Sequence, residues 1–116
     1  MISKKPEIKS WDCADHDPIE EWQPDAPSLV EYWCNIAIGV KGEEGADNFQ
    51  VHVVTEKMLP QIKDKNFMLV LPYYEGWNQV LDALNSKLED INELNWSGMS
   101  EKLAKMFYWE YEGYQP

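Results

Sequence analysis

The chain contains no arginine: its ten basic residues are all lysines, set against 21 acidic ones, for a formal net charge of -11. Arginine is the usual fork for phosphates and base edges. A nucleic-acid binder also needs a basic footprint to release counterions. This chain would repel phosphate instead, so neither nucleic acid nor an anionic membrane is an expected partner. Cysteine is scarce too. Cys13 and Cys34 are too few for a disulfide framework and do not form a CxxC. Long apolar runs are missing: nothing approaches the roughly 18 residues of a spanning helix, and no apolar stretch follows the lysines of the first six residues. The expected location is the cytoplasm, with both thiols reduced.

What is present suits one folded unit. Of 116 residues, 44% are hydrophobic and 27% charged, a globular composition rather than a disordered one. Residues 1–116 are read as a single domain able to form its own core. Glu7 to Trp11 reads as a first strand with Ile8 inward. Asp12 to Glu31 carries Asp15, Asp17, Glu20, Glu21 and Asp25 with no lysine, and is broken by Pro18, Pro24 and Pro27. Proline blocks helix interiors and central strands, so this is a loop with at most a short helical turn.

Tyr32, Cys34, Ile36, Ile38 and Val40 then alternate at period two, predicting a strand over Leu29 to Val40. The polar, glycine-bearing run Lys41 to Asn48 supplies a turn. In the next strand Phe49, Val51 and Val53 share one face, Gln50 and His52 the other. Together these make an antiparallel hairpin. A short helical turn is expected over Met58 to Lys65, interrupted by Pro60, and a further strand over Asn66 to Tyr74, ending at Pro72. The period then changes. Trp77, Val80, Leu81, Leu84, Leu88, Ile91 and Leu94 predict an amphipathic helix of about five turns. Trp96-Ser97-Gly98 is read as its break, with Ser97 or Ser100 capping a last helix in which Leu103, Met106 and Phe107 share a face and Glu101 pairs with Lys105. The pattern leaves open whether Tyr108-Trp109-Glu110-Tyr111 is helical or extended. Strands first and helices last favour an α+β fold, an antiparallel sheet with two C-terminal helices packed on one face.

Candidate chemistry falls away on inspection. Cys13, Asp15, His16 and Asp17 cluster, but zinc sites need four ligands, usually as two pairs, and there is no second Cys/His pair; no metal is expected. A Cys–His nucleophile would need Cys13 or Cys34 beside His16 or His52, and nothing marks a setting that would lower a thiol pKa. Carboxylate pairs are expected by chance among so many acids, so a small hydrolase has no specific signal. Gly39, Gly42 and Gly45 lie between two strands and enclose Glu43 and Glu44, which suits a turn and not a phosphate loop. The aromatics point elsewhere: six tryptophans and six tyrosines are of the kinds that anchor interfaces. Trp11, Trp33, Trp77 and Trp109 read first as core residues; Trp22, inside the acidic loop, is the exception.

The run from Trp33 to Thr55 resembles the Immunity protein 8 (Imm8) family: a strand ending in Ile38-Gly39, a turn bearing glycine and glutamate, the step Asp47-Asn48-Phe49, and a strand ending in Thr55. Phe107-Tyr108-Trp109-Glu110-Tyr111-Glu112 is similar to the family's aromatic ending, and Pro6 to Ser10 to its opening. After Thr55, Glu56-Lys57-Met58-Leu59 departs from it. The resemblance implies an immunity protein that neutralises a cognate polymorphic or contact-dependent toxin by stoichiometric binding, with no enzyme activity and no cofactor. It marks Gly39, Gly42, Gly45, Phe49, Trp109 and Glu110 as scaffold and transfers no binding residues. Those come from charge: Asp15, Asp17, Glu20, Glu21, Trp22 and Asp25, then Glu43, Glu44 and Asp47, are the expected contacts to a basic toxin domain such as a nuclease. For each acid the alternative is a solvated surface charge. For the whole chain, the alternative is an interaction module with a non-toxin partner, or a structural subunit.

Overall fold

The computed structural model describes residues 3–63 and 66–109. Its strands are β1 (Pro6–Asp12), β2 (Glu31–Val40), β3 (Asp47–Thr55), β4 (Met68–Leu71) and β5 (Tyr108–Trp109); its helices are α1 (Trp77–Leu88) and α2 (Trp96–Met106). Two 3-10 turns, Ile19–Glu21 and Glu56–Gln61, punctuate the connections. The expected α+β class, with both helices toward the C-terminus, is what the chain forms.

One sheet runs in the order β1-β2-β3-β4. The predicted hairpin is there, pairing β2 with β3 in a register that sets Ile36 against Phe49 and Trp33 against His52. Its turn explains the glycine spacing. Gly42 and Gly45 lie at φ +84° and +92°, where side chains strain the backbone. A Cβ on Gly39 would come within 2.2 Å of the Gly45 carbonyl oxygen. The outer edge of β3 is divided: β4 pairs with His52–Thr55 and β5 with Phe49–Gln50. β4 runs parallel to β3; among the described residues the other strand pairings are antiparallel. A parallel neighbour needs a crossover of about a dozen residues, and the segment containing the second 3-10 turn provides it. Tyr108 and Trp109 are therefore extended; Glu110 and Tyr111 lie outside the described residues.

Alternation puts Tyr32, Cys34, Ile36, Ile38, Phe49, Val51, Val53, Leu69 and Leu71 into one buried cluster with Trp77, Val80, Leu84 and Leu88 of α1 and Met99 and Leu103 of α2. Burying each of the larger side chains contributes about 1.5–3 kcal/mol.

The helices depart from the expected bounds. α1 stops at Leu88, short of Leu94, because the chain turns there to pair Glu93 with Lys4: Lys4 N–H donates to the Glu93 carbonyl (2.6 Å) and Glu93 N–H to that of Lys4 (3.0 Å). Ile91 is buried without being helical, and Leu94 is exposed. The segment Trp96-Ser97-Gly98 is the first turn of α2 rather than a break. The cap is Asn95, whose side chain accepts from Gly98 N–H at 2.9 Å, and neither serine takes that role. Gly98 is small where the Glu93 side chain lies over it. That carboxylate pairs with Lys102 at 2.8 Å, whereas Glu101 and Lys105 form no ion pair with each other.

Candidate protein-binding surface

The acidic loop between β1 and β2 is pinned down by aromatic rings. Cys13 and Ile19 are buried in the core. The Trp22 indole stacks on His16 with centroids 3.6 Å apart, and its edges meet Tyr32 (5.9 Å) and Tyr74 (5.3 Å). The hydroxyls of Tyr32 and Tyr74 lie 2.9 Å apart. Trp22 is therefore half-buried against the core: it anchors the loop by its ring, as a loop tryptophan commonly does, and does not stand apart from the core. Glu20 accepts the indole N–H of Trp11. Asp15, Asp17, Glu21 and Asp25 stand exposed around this anchored frame.

At the hairpin turn, Glu43 pairs with Lys4 at 2.9 Å and Glu44 is exposed. Asp47 has a structural job: its Oδ2 accepts from Trp96 Nε1–H (3.2 Å) and Trp109 Nε1–H (3.1 Å), tying α2 and β5 to the start of β3. A hollow of about 250 Å³ between Gly39, Glu43, Glu44 and Trp96 opens beside it. The two acidic groups thus lie at opposite ends of β2, which spans ten residues and so about 30 Å. The fold does not gather them into one patch.

Between them lies the face of the sheet that neither helix covers. Parity puts Glu31, Trp33, Asn35 and Ala37 of β2 there, beside Gln50, His52 and Val54 of β3, Met68 and Val70 of β4, and Tyr108 of β5; Val54 is fully buried, so the face is closed around that residue and open beyond it. Trp33 lies flat on the His52 imidazole, centroids 4.5 Å apart and planes 8° from parallel, leaving His52 only 3% exposed. His52 Nε2 is 2.7 Å from Glu31 Oε2, while its Nδ1 is buried without a partner. A polar ladder crosses the strands: Gln50 Nε2–H donates to Asn35 Oδ1 (3.0 Å), and Asn35 Nδ2–H to Asp12 Oδ1 (2.8 Å). Tyr108 meets the Phe67 ring edge-on at 5.7 Å. Charge counting missed this face. Its signal was the odd-numbered parity of Trp33, which it shares with Glu31 and Asn35 and not with the buried Tyr32 and Cys34. Trp11 and Trp109 pack against the core and Trp77 lies within it, as expected; Trp33 is outside that cluster.

Nothing in these surroundings activates a thiol. Burial pushes the Cys34 and Cys13 thiols above their ordinary pKa and does the same to the Tyr32 and Tyr74 hydroxyls. Among the described residues no group of three or more His, Cys, Asp or Glu side chains could hold a metal ion. No helix among them is long and apolar enough to cross a membrane.

With the hairpin, its glycine turn and the aromatic end strand in place, the decisive comparison is with the model of the Immunity protein 8 family, which matches residues 6–114. The chain belongs to that family. Membership makes this Imm8 protein a toxin immunity protein, whose partner is a cognate toxin. Among curated proteins and solved structures none matches it.

Proposed function

We propose that this Imm8 protein neutralises its toxin by direct one-to-one binding in the cytoplasm, without catalysis, and that the toxin domain it meets is basic, as a nuclease would be. The observation that carries this reading is charge. The chain is net -11, and seven of its 21 acids fall in the stretch Asp12 to Glu31, which holds no lysine. Nuclease active sites are cationic because they bind phosphate, and clustered carboxylates occupy such a field while raising the rate of encounter. The exposure of Asp15, Asp17, Glu21 and Asp25 on a frame pinned by Trp22 supports the loop as the main contributor. Glu20 stands beside them at the Trp11 indole. Glu43 and Glu44 add field at the far end of the hairpin, and Asp47, engaged by two indoles, contributes charge more than contact.

Co-expression with the product of the neighbouring reading frame tests the reading. Growth should be rescued and the two proteins should co-purify in equal amounts. Absence of both rescue and co-purification would retire it.

A further inference from the structure

The acidic loop has the composition of an interface rim: charged, and with its one tryptophan already spent on the core. Interfaces of useful lifetime also need a centre, where charged residues are depleted and aromatics enriched. Between Asp12 and Glu31 at its margins, the helix-free face of the sheet has that composition. Trp33 is held flat by its stack on His52, so little side-chain freedom would be lost when a partner covers it. Val70 and Tyr108, 40% and 42% exposed, extend the apolar area. Asn35 and Gln50 offer amide groups already aligned by their mutual hydrogen bond. An apolar patch bordered by polar groups marks an interaction site more often than an accident of folding.

The charges on this face select the occupant. Asp12 and Glu31 are acidic, and the one lysine of β1, Lys9, is held by Glu7 at 2.8 Å. Glu31 also joins the face to the acidic loop: with His16, Trp22, Asp25 and Leu29 it lines one hollow of about 380 Å³. The loop and the face therefore form one continuous surface. Its centre carries the Trp33 ring, and its field is negative.

We propose that this open face is the toxin-docking surface, on which a cationic side chain of the toxin lies over the Trp33 ring and pairs with the Glu31 carboxylate. The inference rests on the immunity reading and adds to it a division of labour. The acids of the loop steer the encounter, and the Trp33 face sets how long the complex lasts. Stacking of a cation on an indole and its pairing with a carboxylate reinforce each other where water is excluded.

Association and dissociation of the complex with the product of the neighbouring reading frame, in inactivated form, provide the test. Trp33→Ala should weaken binding by about thirty-fold or more, mostly through faster dissociation. Gln50→Lys, at an exposed position that leaves the core untouched, should weaken it by about ten-fold, because it sets a positive charge against a positive partner. Thermal melts of both variants check that they fold. If the parent protein binds the toxin and both variants bind equally well, the docking face is wrong while the immunity function stands. If the parent protein does not bind at all, the immunity reading fails and takes the docking face with it. A parent protein that sediments as a dimer, converted to monomer by Trp33→Ala, would assign the face to a second copy and overturn the proposal.

Discussion

On one side of β2, Tyr32, Cys34, Ile36 and Ile38 are sealed under two helices; on the other, Glu31, Trp33, Asn35 and Ala37 keep part of their surface. The two sets alternate residue by residue along one strand, so the same backbone serves both. What differs is the constraint. The covered side must be apolar and close-packed, because a void or an unpaired polar group there costs stability. The open side needs only to remain hydrated and to avoid self-association, and is free to carry recognition. A tryptophan on the open side therefore means something different from one on the covered side.

The sharpest way to break this contrast is to make the same kind of change on each face. Phe49→Ala, at a fully buried position edge-on to Phe107 and parallel to the Trp109 ring, should cost about 3–5 kcal/mol in urea unfolding. Next comes Asp47→Ala, which removes the acceptor shared by Trp96 and Trp109. Hydrogen bonds to charged groups contribute about 1.5–3 kcal/mol each, and because both indoles are half-exposed the loss should be about 2 kcal/mol in all.

A smaller effect comes from pH. Burial raises the folded-state pKa of Cys34 and Tyr32 above the ordinary values of 9.0 and 10.0. The unfolded chain therefore releases these protons first. Their stabilisation is complete below the unfolded values and is lost progressively as pH rises from there toward the folded ones. Between pH 8 and pH 10, Cys34 alone should remove about 1.4 kcal/mol, read as a lower urea midpoint. A Cys34→Ser variant should lose that part of the pH dependence. The smallest change in stability belongs to Trp33→Ala, at about 1 kcal/mol, since it uncovers His52 without opening the core.

Much of the scaffold was legible because its signals are local. Strict alternation and three glycines marked the hairpin, and the change to three- and four-residue spacing marked α1. The end of α1 was not legible: Ile91 and Leu94 keep the helical spacing, but a backbone pairing of Glu93 with Lys4, remote in sequence, takes the chain out of the helix. Asn95 was overlooked as a cap because Ser97 and Ser100, a little further along, offer the same chemistry. The parallel placement of β4 is a matter of crossover geometry, and four apolar residues read alike in either direction. β5 is too short for any period, and only its pairing with Phe49 and Gln50 defines it.

The surface was read by charge, which located the acidic loop and turn but not their separation along β2. Nor could charge counting distinguish Asp47, engaged by two indoles, from Glu44, exposed to solvent. Trp33, expected in the core, is only partly buried and lies outside the core cluster, whereas Trp22 packs against it. A loop tryptophan was free to fold back onto Tyr32 and Tyr74, whereas strand parity turned Trp33 away from the core.

The central claim is that loop charge governs encounter while the Trp33 face governs lifetime. Stopped-flow kinetics with the inactivated toxin, run from low to high salt, tests it most directly. Charge reversal at Asp15, Asp17, Glu21 and Asp25 should slow association about ten-fold or more at low salt, with convergence on the parent rate as salt screens the field. Trp33→Ala should leave association nearly unchanged and speed dissociation. Contradiction would be the reverse pattern, or loop and face variants that both match the parent protein at every ionic strength.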